Sequence, residues 1–325
     1  MKEFLTRVCI TVTVITALVV TLAVATEHDG NAYLCAYNSK LDRLTSTDHS
    51  PLPRLILVGG SNLAFGVDSR LIEDSLGVVV VNMGLHGGVG IRYLLNDVIP
   101  HLRPTDILVV AMEYGNFFSG GNGEPETLPQ FLAAVGWQNL RKLNARQWAI
   151  VAAGLPRLAA VNAKRLIYAS LGHPWDKPAA DSIFSYAASG FNSWGDEVSH
   201  WRLPAEKIEP SKRVAASSVN QDFMNWLDDA LASCENREGV QVLMLPPVCP
   251  QSHFNCCYDE SIVKGLAHLG RHYVVPPQAM VVPDSCSYNG GYHVNREGVV
   301  MASRRMVTIL RPFCTFNQAR LHKKL

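Results

Sequence analysis

Two stretches of the sequence hold residues that could carry out acyl transfer, and they lie far apart along the chain. Ser61 follows Gly59 and Gly60, directly behind the apolar run 55–58, so it is expected at the carboxyl end of a buried strand with its side chain exposed. His293 lies in the stretch Tyr-His-Val-Asn near the other end of the chain. A serine hydroxyl is a weak nucleophile until a base takes its proton, and a neutral imidazole can accept and return a proton near neutral pH. The two stretches therefore predict a serine nucleophile with a histidine base.

A carbonyl attacked by a serine becomes negatively charged, and the chain offers donors for that charge. We expect them to be the backbone N–H groups of Ser61 and Gly84 and the side-chain amide of Asn116, each just past a predicted strand. Plainer interpretations exist: a turn or helix cap for Ser61, a helix-start or core residue for His293, and a left-handed turn residue for Asn116. The glycine-rich turn 84–90 could instead cradle a phosphate, although the G-x-G-x-x-G order of dinucleotide sites is absent. The acyl-transfer hypothesis depends on four suitable residue types standing at the ends of successive elements.

The elements that would position these residues alternate between strands and helices. Apolar, largely β-branched runs predict strands at 54–58, 78–82 and 107–112. Helical spacing predicts helices at 66–76 and 91–102 between them. Two successive βαβ units imply a parallel sheet with right-handed crossovers. The predicted fold class is therefore α/β, a three-layer α/β/α sandwich with a mostly parallel, flavodoxin-like sheet.

Residues 118–218 interrupt this alternation and are predicted to form a helical insertion after the third strand. Helices are expected there at 128–143 and 147–171, and the insertion either caps the site or only thickens the fold. The alternation then resumes, with predicted helices at 219–236, 260–269 and 294–310 and predicted strands at 240–245 and 273–275.

With this order of elements, the four residues resemble the motifs of the SGNH (GDSL-type) hydrolases. That family carries a serine after the first strand, a glycine after the second, an asparagine after the third and a histidine just before the last helix. Here these are Ser61, Gly84, Asn116 and His293. The Tyr-His-Val-Asn-x-x-Gly ending is most similar to the membrane-associated, extracytoplasmic branch that acts on acyl groups of cell-surface polysaccharide or teichoic acid. The resemblance implies an SGNH-like domain over 54–325 and an esterase or O-acyltransferase that works through an acylated serine, with no cofactor and no metal.

Three positions depart from the family pattern. Gly60 stands where the family usually has an aspartate, and Asn116 directly follows a glycine from which the family separates it by one residue. The aspartate that normally orients the histidine is missing, and Asp284, the nearest carboxylate, is the predicted third member of the triad if the loop between them folds back. A serine–histidine dyad whose ring is oriented by a backbone carbonyl is the alternative. Glu113 and His86 also lie at neighbouring strand ends, and their spacing assigns them no role.

The first residues predict export. Lys2 and Arg7 precede an uncharged run over 8–25, whose length of about 18 residues lies between a signal-peptide core and a short membrane-spanning helix. Residues 1–25 are therefore predicted to be a cleaved signal peptide or a retained membrane anchor. Either leaves the rest of the chain outside the cytoplasm, in the periplasm or secreted. The polar, turn-rich stretch 26–53 is expected to be a stalk or linker.

The cysteines point to the same compartment. Seven lie outside the apolar run, and six of them lie in the last third of the chain, which favours disulfides in an oxidising environment. Zinc is the alternative for a cluster of cysteines with His253, but the C-x-x-C spacing of zinc knuckles is absent. The seven are Cys35, Cys234, Cys249, Cys256, Cys257, Cys286 and Cys314.

Composition bounds the partners. The chain has 325 residues, 48% of them hydrophobic, enough for one large domain with a sizeable insertion. Lys and Arg number 29 and Asp and Glu number 28, with no basic stripe, so nucleic acid is not expected as a partner. The expected partners are an acylated glycan or another ester substrate, a membrane-bound acyltransferase, and the membrane itself if the amino-terminal segment is retained. The rival from another class is a non-catalytic scaffold or glycan-binding member of an envelope acylation assembly.

Overall fold

Four parallel strands form the central sheet of the computed structural model, which describes residues 1–24, 32–173, 186–205, 218–236 and 240–324. The strands are β1 (Arg54–Gly59), β2 (Val79–Asn82), β3 (Ile107–Ala111) and β4 (Gln241–Met244), in the order β2-β1-β3-β4. They are short, mostly apolar runs that are almost wholly buried, as a parallel sheet covered on both faces requires. The predicted α/β class and the predicted parallel sheet are confirmed.

Helices cover both faces of this sheet. The helices of the described residues are α1 (Lys2–Val24), α2 (Ala36–Ser46), α3 (Ser61–Ala64), α4 (Ser69–Leu76), α5 (Ile91–Val98), α6 (Leu128–Val135), α7 (Ala145–Ser170), α8 (Gln221–Glu235), α9 (Gln251–Cys257), α10 (Glu260–His268) and α11 (Arg296–Lys324), of which α1 lies away from the sheet. Successive strand residues point into two separate apolar clusters. Ile56 and Val58 pack with α2, α5, α6 and α8, whereas Leu55 and Leu57 pack with α4 and α11. The result is a layer of helices on each side of the sheet.

Two predicted helices are shorter than expected, each for a local reason. The stretch predicted as one helix over 66–76 begins as α4 after Asp68, whose carboxylate accepts from the backbone N–H of Leu71 at 3.0 Å. The helix predicted over 128–143 ends at Val135, because Gly136 takes a φ of 105° and a 3₁₀ turn follows.

The predicted strand 273–275 is reduced to one parallel bridge, between Tyr273 and Met244 at the free side of β4. A second, two-stranded parallel sheet joins β5 (Cys249–Pro250) to β6 (Val281–Val282). The sequence did not predict this sheet, since two-residue strands leave no run long enough to recognise.

The predicted stalk over 26–53 is wrong for most of its length, because α2 and the turns beside it belong to the folded domain; 25–31 lie outside the described residues. On the inner face of α2, Lys40 donates to the carbonyl of Asn82 at 3.1 Å, at the end of β2. The helix was not predicted because most residues of this stretch are polar and only one narrow face of the helix is buried. The buried residues of that face are Ala36, Tyr37, Lys40 and Leu44.

A buried ion pair joins the amino ends of β1 and β3. Arg54 contacts Asp106 through two nitrogens, with Nε 3.2 Å from Oδ1 and Nη2 2.7 Å from Oδ2. Arg54 also donates to the Asp48 carboxylate at 2.5 Å and to the carbonyls of Leu44 at 2.9 Å and His101 at 2.5 Å. The side chains of Arg54 and Asp106 are wholly buried. Both charges are therefore compensated inside the fold.

The predicted insertion 118–218 is described in part. α6 packs in the core, α7 agrees closely with the predicted helix, and the chain returns over 186–205 in 3₁₀ turns. Residues 174–185 and 206–217 lie outside the described part of the chain.

α1 is, among the described helices, the one long and apolar enough to cross a membrane, with a mean hydropathy of 2.3 over its most apolar window. Residues 2–18 are exposed, and its last turn contacts α7. A signal sequence and a membrane anchor both have these properties.

Candidate active site

The pairing of β1 with β3 sets Ser61 opposite Glu113. Gly59, the last residue of β1, is aligned with Ala111, the last residue of β3, so the residues two positions further on face each other beyond the sheet. Ser61 Oγ donates to Glu113 Oε1 at 2.9 Å, and the backbone N–H of Asn62 donates to the same oxygen at 3.2 Å. The predicted nucleophile therefore lies against a carboxylate.

Two glycines make room for that carboxylate. A Cβ atom at Gly60 would overlap Glu113 Oε1, and a Cβ atom at Gly87 would overlap Glu113 Oε2. A side chain at either position would force the glutamate out of its place. The glycine that stands where the SGNH family usually has an aspartate therefore has a physical reason, since an aspartate would not fit beside Glu113.

The Glu113 carboxylate is held by neutral donors. Among the described residues no lysine or arginine pairs with it, and its neighbours are Ser61, Asn62 and His86. Burial raises the pKa of Glu113 above its ordinary value, and the hydrogen bonds from the serine and from Asn62 oppose that shift. Burial also lowers the pKa of His86, whose Nδ1 accepts from the backbone N–H of Gly88 at 3.0 Å. A carboxylate with a raised pKa is a better proton acceptor than an ordinary one.

The three predicted oxyanion donors all have partners inside the protein. The N–H of Gly84 donates to Asn82 Oδ1 at 2.9 Å. Asn116 holds the turn after β3, because its Oδ1 accepts from the N–H of Glu113 at 3.1 Å and its Nδ2 donates to a carbonyl of the glycine-rich turn at 3.2 Å. The N–H of Ser61 donates to the Glu113 carboxylate. The Glu113 carboxylate thus occupies the N–H of Ser61, and an amide oxygen and a backbone carbonyl occupy the other two donors.

His293 lies in the same cleft, but not in contact with the serine. Its ring stacks on Phe65, four residues after Ser61, with centroids 4.1 Å apart and planes at 19°. Nδ1 lies 2.7 Å from Asn289 Oδ1 and 3.0 Å from the hydroxyl of Tyr186. Burial lowers the pKa of His293 to about 3, so the ring is neutral at neutral pH. With an amide oxygen facing Nδ1–H, Nε2 is the nitrogen left to accept a proton.

The predicted third member of the triad, Asp284, does not contact His293. Its Oδ1 accepts from the backbone N–H of Ser252 at 2.8 Å, at the start of α9. The loop after Asp284 closes on itself through an antiparallel bridge and carries Asn289 to the histidine. The ring is therefore oriented by an amide and not by the carboxylate that the sequence suggested.

A buried pair from the predicted insertion supports the segment that carries the histidine. His200 Nδ1 lies 2.5 Å from Glu197 Oε2, and His200 Nε2 lies 3.0 Å from the carbonyl of Val294, the residue after His293. Both side chains of this pair are wholly buried. With the hydroxyl of Tyr186 at the histidine ring, the described part of the insertion shapes the site as well as adding a layer to the fold.

Three functional contacts of this site escaped sequence reasoning. Glu113 stands two residues past β3 as Ser61 stands two residues past β1, so the signal existed, but it requires knowing that these strands are neighbours. Asn289 lies where a carboxylate is expected, and its residue type gives no sign of that role. Tyr186 lies in an irregular segment with no motif around it.

All eight cysteines are free thiols in this structure, so the predicted disulfides are not formed. Cys234 and Cys249 pack in one apolar cluster and Cys286 and Cys314 in the other, where a thiol acts as a small hydrophobic side chain. Within the described ranges, no group of three or more His, Cys, Asp and Glu residues could hold a metal ion.

Comparison of the chain with protein-family models, with curated proteins and with solved structures finds no match. Function must therefore be argued from the geometry of this cleft and from the motifs within it.

Proposed function

We propose that this protein is an extracytoplasmic serine esterase or O-acyltransferase that acts on acyl esters, such as acetyl esters, of an envelope glycan. The observation that carries the proposal is the hydrogen bond from Ser61 Oγ to Glu113 at the carboxyl ends of two neighbouring strands. A serine hydroxyl becomes nucleophilic when a base can take its proton, and a carboxylate with a raised pKa is such a base. The motif resemblance supports acyl transfer on an envelope glycan, and the apolar helix α1 supports export.

In the proposed reaction, Ser61 Oγ forms a bond to the acyl carbon while its proton passes to Glu113. The carbonyl π electrons move onto the carbonyl oxygen, so negative charge leaves the carboxylate as it appears on the oxyanion. The N–H groups of Ser61 and Asn62, which hold the carboxylate in the resting state, are then free to turn to the oxyanion. Collapse breaks the ester bond, and the leaving sugar oxygen takes the proton from Glu113.

The acylated Ser61 is then attacked by water in an esterase or by a sugar hydroxyl in an O-acyltransferase. Glu113 takes the proton of the attacking group and returns it to Ser61 as the acyl group leaves. His293 remains the predicted proton relay of the motif, but burial lowers the pKa of its ring to about 3, which makes it a weaker proton acceptor than Glu113 in this cleft.

Labelling of the purified chain with a fluorophosphonate tests the nucleophile, since this probe bonds covalently to an activated serine oxygen and expels fluoride. We expect labelling of the wild type, loss of labelling in Ser61→Ala, and wild-type labelling in Ser119→Ala, a matched change at an exposed loop serine. Glu113→Gln should label about 10²–10⁴ times more slowly, the usual contribution of a positioned base.

Other labelling results would overturn parts of the proposal. Wild-type protein that is folded but takes up no probe would remove the nucleophile. Full labelling in Glu113→Gln together with loss in His293→Asn would transfer the role of base from the carboxylate to the histidine.

The second candidate function is a non-catalytic scaffold or glycan-binding partner of an envelope acylation complex. It is favoured by two observations: in the resting state the predicted oxyanion donors are occupied, and no carboxylate faces His293 Nδ1 among the described residues. This function predicts that Ser61→Ala and Glu113→Gln leave the binding of acetylated glycan or of a membrane-bound acyltransferase unchanged. Esterase activity that disappears in Ser61→Ala would exclude it.

A further inference from the structure

The last turn of α1 is fitted into the folded domain. Asn162 Nδ2, on α7, donates to the carbonyls of Leu22 at 3.0 Å and Ala23 at 3.3 Å. These carbonyls lie at the end of a helix and have no partner within it, so a side chain of the domain satisfies them. Ala23, on α1, is wholly buried beside Leu158 and Ala159 of α7. Cleavage directly after α1 would leave this packing without its partner.

α7 continues past this contact and exposes large apolar side chains. Leu166, Ile167 and Leu171 are 51%, 58% and 66% exposed. They follow Asn162 by four to nine residues, about 6–14 Å along a helix. Apolar side chains grouped in this way at the end of one helix are unfavourable in water and typical of a surface that is covered in the working protein.

The position of this group relative to α1 indicates what covers it. If α1 crosses a bilayer, its last turn lies at the outer boundary of the hydrocarbon core, and the headgroup region beyond that boundary is about 5–8 Å thick on each side. The exposed residues of α7 begin about 6 Å along the helix from the last turn of α1, a distance comparable to the thickness of that region. Lys164 and Arg165, on the preceding turn, suit the same place, since long basic side chains extend from apolar surroundings to lipid phosphates.

We propose that α1 is retained as a membrane anchor and that the end of α7, residues 166–171, inserts into the outer interface of the bilayer beside it. The partner of this surface is lipid. The domain then contacts the membrane at two points, the anchor and the α7 end. Two contacts fix the orientation of the domain on the membrane more firmly than the anchor alone. The proposal does not depend on the chemistry of Ser61.

Depth-dependent quenching of tryptophan fluorescence tests the insertion. The full chain is reconstituted in vesicles of phosphatidylethanolamine and phosphatidylglycerol that also carry phosphatidylcholine brominated near the top of its acyl chains. Ile167→Trp reports on the α7 end, and Ala152→Trp is a matched control at an exposed site about 22 Å back along the same helix. The signal of each is its difference from the unsubstituted chain, which has six tryptophans.

We expect brominated lipid to roughly halve the added fluorescence of Ile167→Trp, because a residue about 5–10 Å deep in the interface lies near the bromine atoms. The added fluorescence of Ala152→Trp should stay unchanged. Equal quenching at both sites, or none at Ile167→Trp, would overturn the insertion. An intact mass of the membrane-extracted protein should include α1, and a mature chain that begins near Thr26 would overturn its retention.

Discussion

The two ends of the paired strands β1 and β3 carry one polar pair each, and the two pairs differ in kind. At the amino ends, Arg54 and Asp106 are opposite charges, wholly buried, joined by two hydrogen bonds. At the carboxyl ends, Glu113 meets Ser61, a neutral hydroxyl, in a cleft that is only partly buried. The first pair leaves no charge uncompensated, whereas the second keeps a carboxylate without a cation.

This difference suits the amino ends of the two strands to stabilising the fold and the carboxyl ends to the proposed chemistry. A buried ion pair with every donor used holds its strands together and has nothing left to react. Burial without a cation raises the pKa of Glu113, so this carboxylate gains from taking a proton, which is the property required of a base. Substitutions at the two ends should therefore affect different measurements.

The largest expected effect on stability is at the amino end. Arg54→Met leaves the buried Asp106 carboxylate with Arg103 as its cation, 3.5 Å away, in place of the two hydrogen bonds from Arg54. It should lower the free energy of unfolding by about 3 kcal/mol in urea titrations. The double variant Arg54→Met, Asp106→Leu removes both charges and should recover most of that loss. Arg70→Met, which removes an exposed ion pair with Asp74, is the matched control and should cost less than about 1 kcal/mol. A loss at Arg54 no larger than at Arg70 would contradict this description.

At the carboxyl end, neutralising the carboxylate should act in the opposite direction. Burial raises the pKa of Glu113 in the folded protein above its ordinary 4.5, so between those two values the folded state binds more protons than the unfolded state. The free energy of unfolding contributed by this group is therefore highest at low pH and declines as pH rises through that window. Glu113→Gln should remove the decline and raise stability at pH 7 by about 1 kcal/mol, within the range of single stabilising substitutions.

The same variant links stability to reactivity. Wild-type labelling by a fluorophosphonate should fade as pH falls through the raised pKa of Glu113, because the protonated carboxyl can no longer take the proton of Ser61. Glu113→Gln should label slowly at every pH, and its labelling rate should no longer fall as the pH is lowered. If labelling of the variant still decreased at low pH as in the wild type, a group other than Glu113 would cause that decrease.

How much of these two strand ends the sequence predicts depends on how far apart the interacting residues lie along the chain. The strands, and the position of Ser61 at the end of β1, follow from apolar runs bounded by glycine, which are local signals. The role of Glu113 depends on which strands are neighbours, and that is set by packing of the whole sheet. The contacts of Asn289 depend on a loop conformation. The burial of four free cysteines in two separate apolar clusters likewise could not be predicted from their spacing, because it depends on the packing of the whole domain.

A smaller effect is expected from giving His293 the charge that its neighbour lacks. Asn289→Asp introduces a carboxylate 2.7 Å from Nδ1 and should raise the pKa of His293 by about one to three units from its value of about 3. Labelling should accelerate about tenfold, well below the roughly 10⁴ that such a carboxylate contributes in a complete triad. Titration of the ring by NMR and labelling rates measure the two effects. Asn255→Asp adds the same charge at an exposed helix position and should change neither.

The smallest effect is expected at Asp284, the carboxylate that sequence assigned to the reactive end. It accepts from the backbone N–H of Ser252 at the start of α9, so Asp284→Ala should cost about 1 kcal/mol of stability, as loss of a helix cap does. Asp259→Ala is the matched control, since Asp259 accepts from two backbone N–H groups at the start of α10 and should cost about the same. Both variants should label with fluorophosphonate at the wild-type rate, because neither carboxylate contacts Ser61 or His293. If the two variants lose the same stability but only Asp284→Ala labels more slowly, Asp284 would belong to the triad after all. The histidine at the carboxyl end would then have a carboxylate partner, as Arg54 has at the amino end.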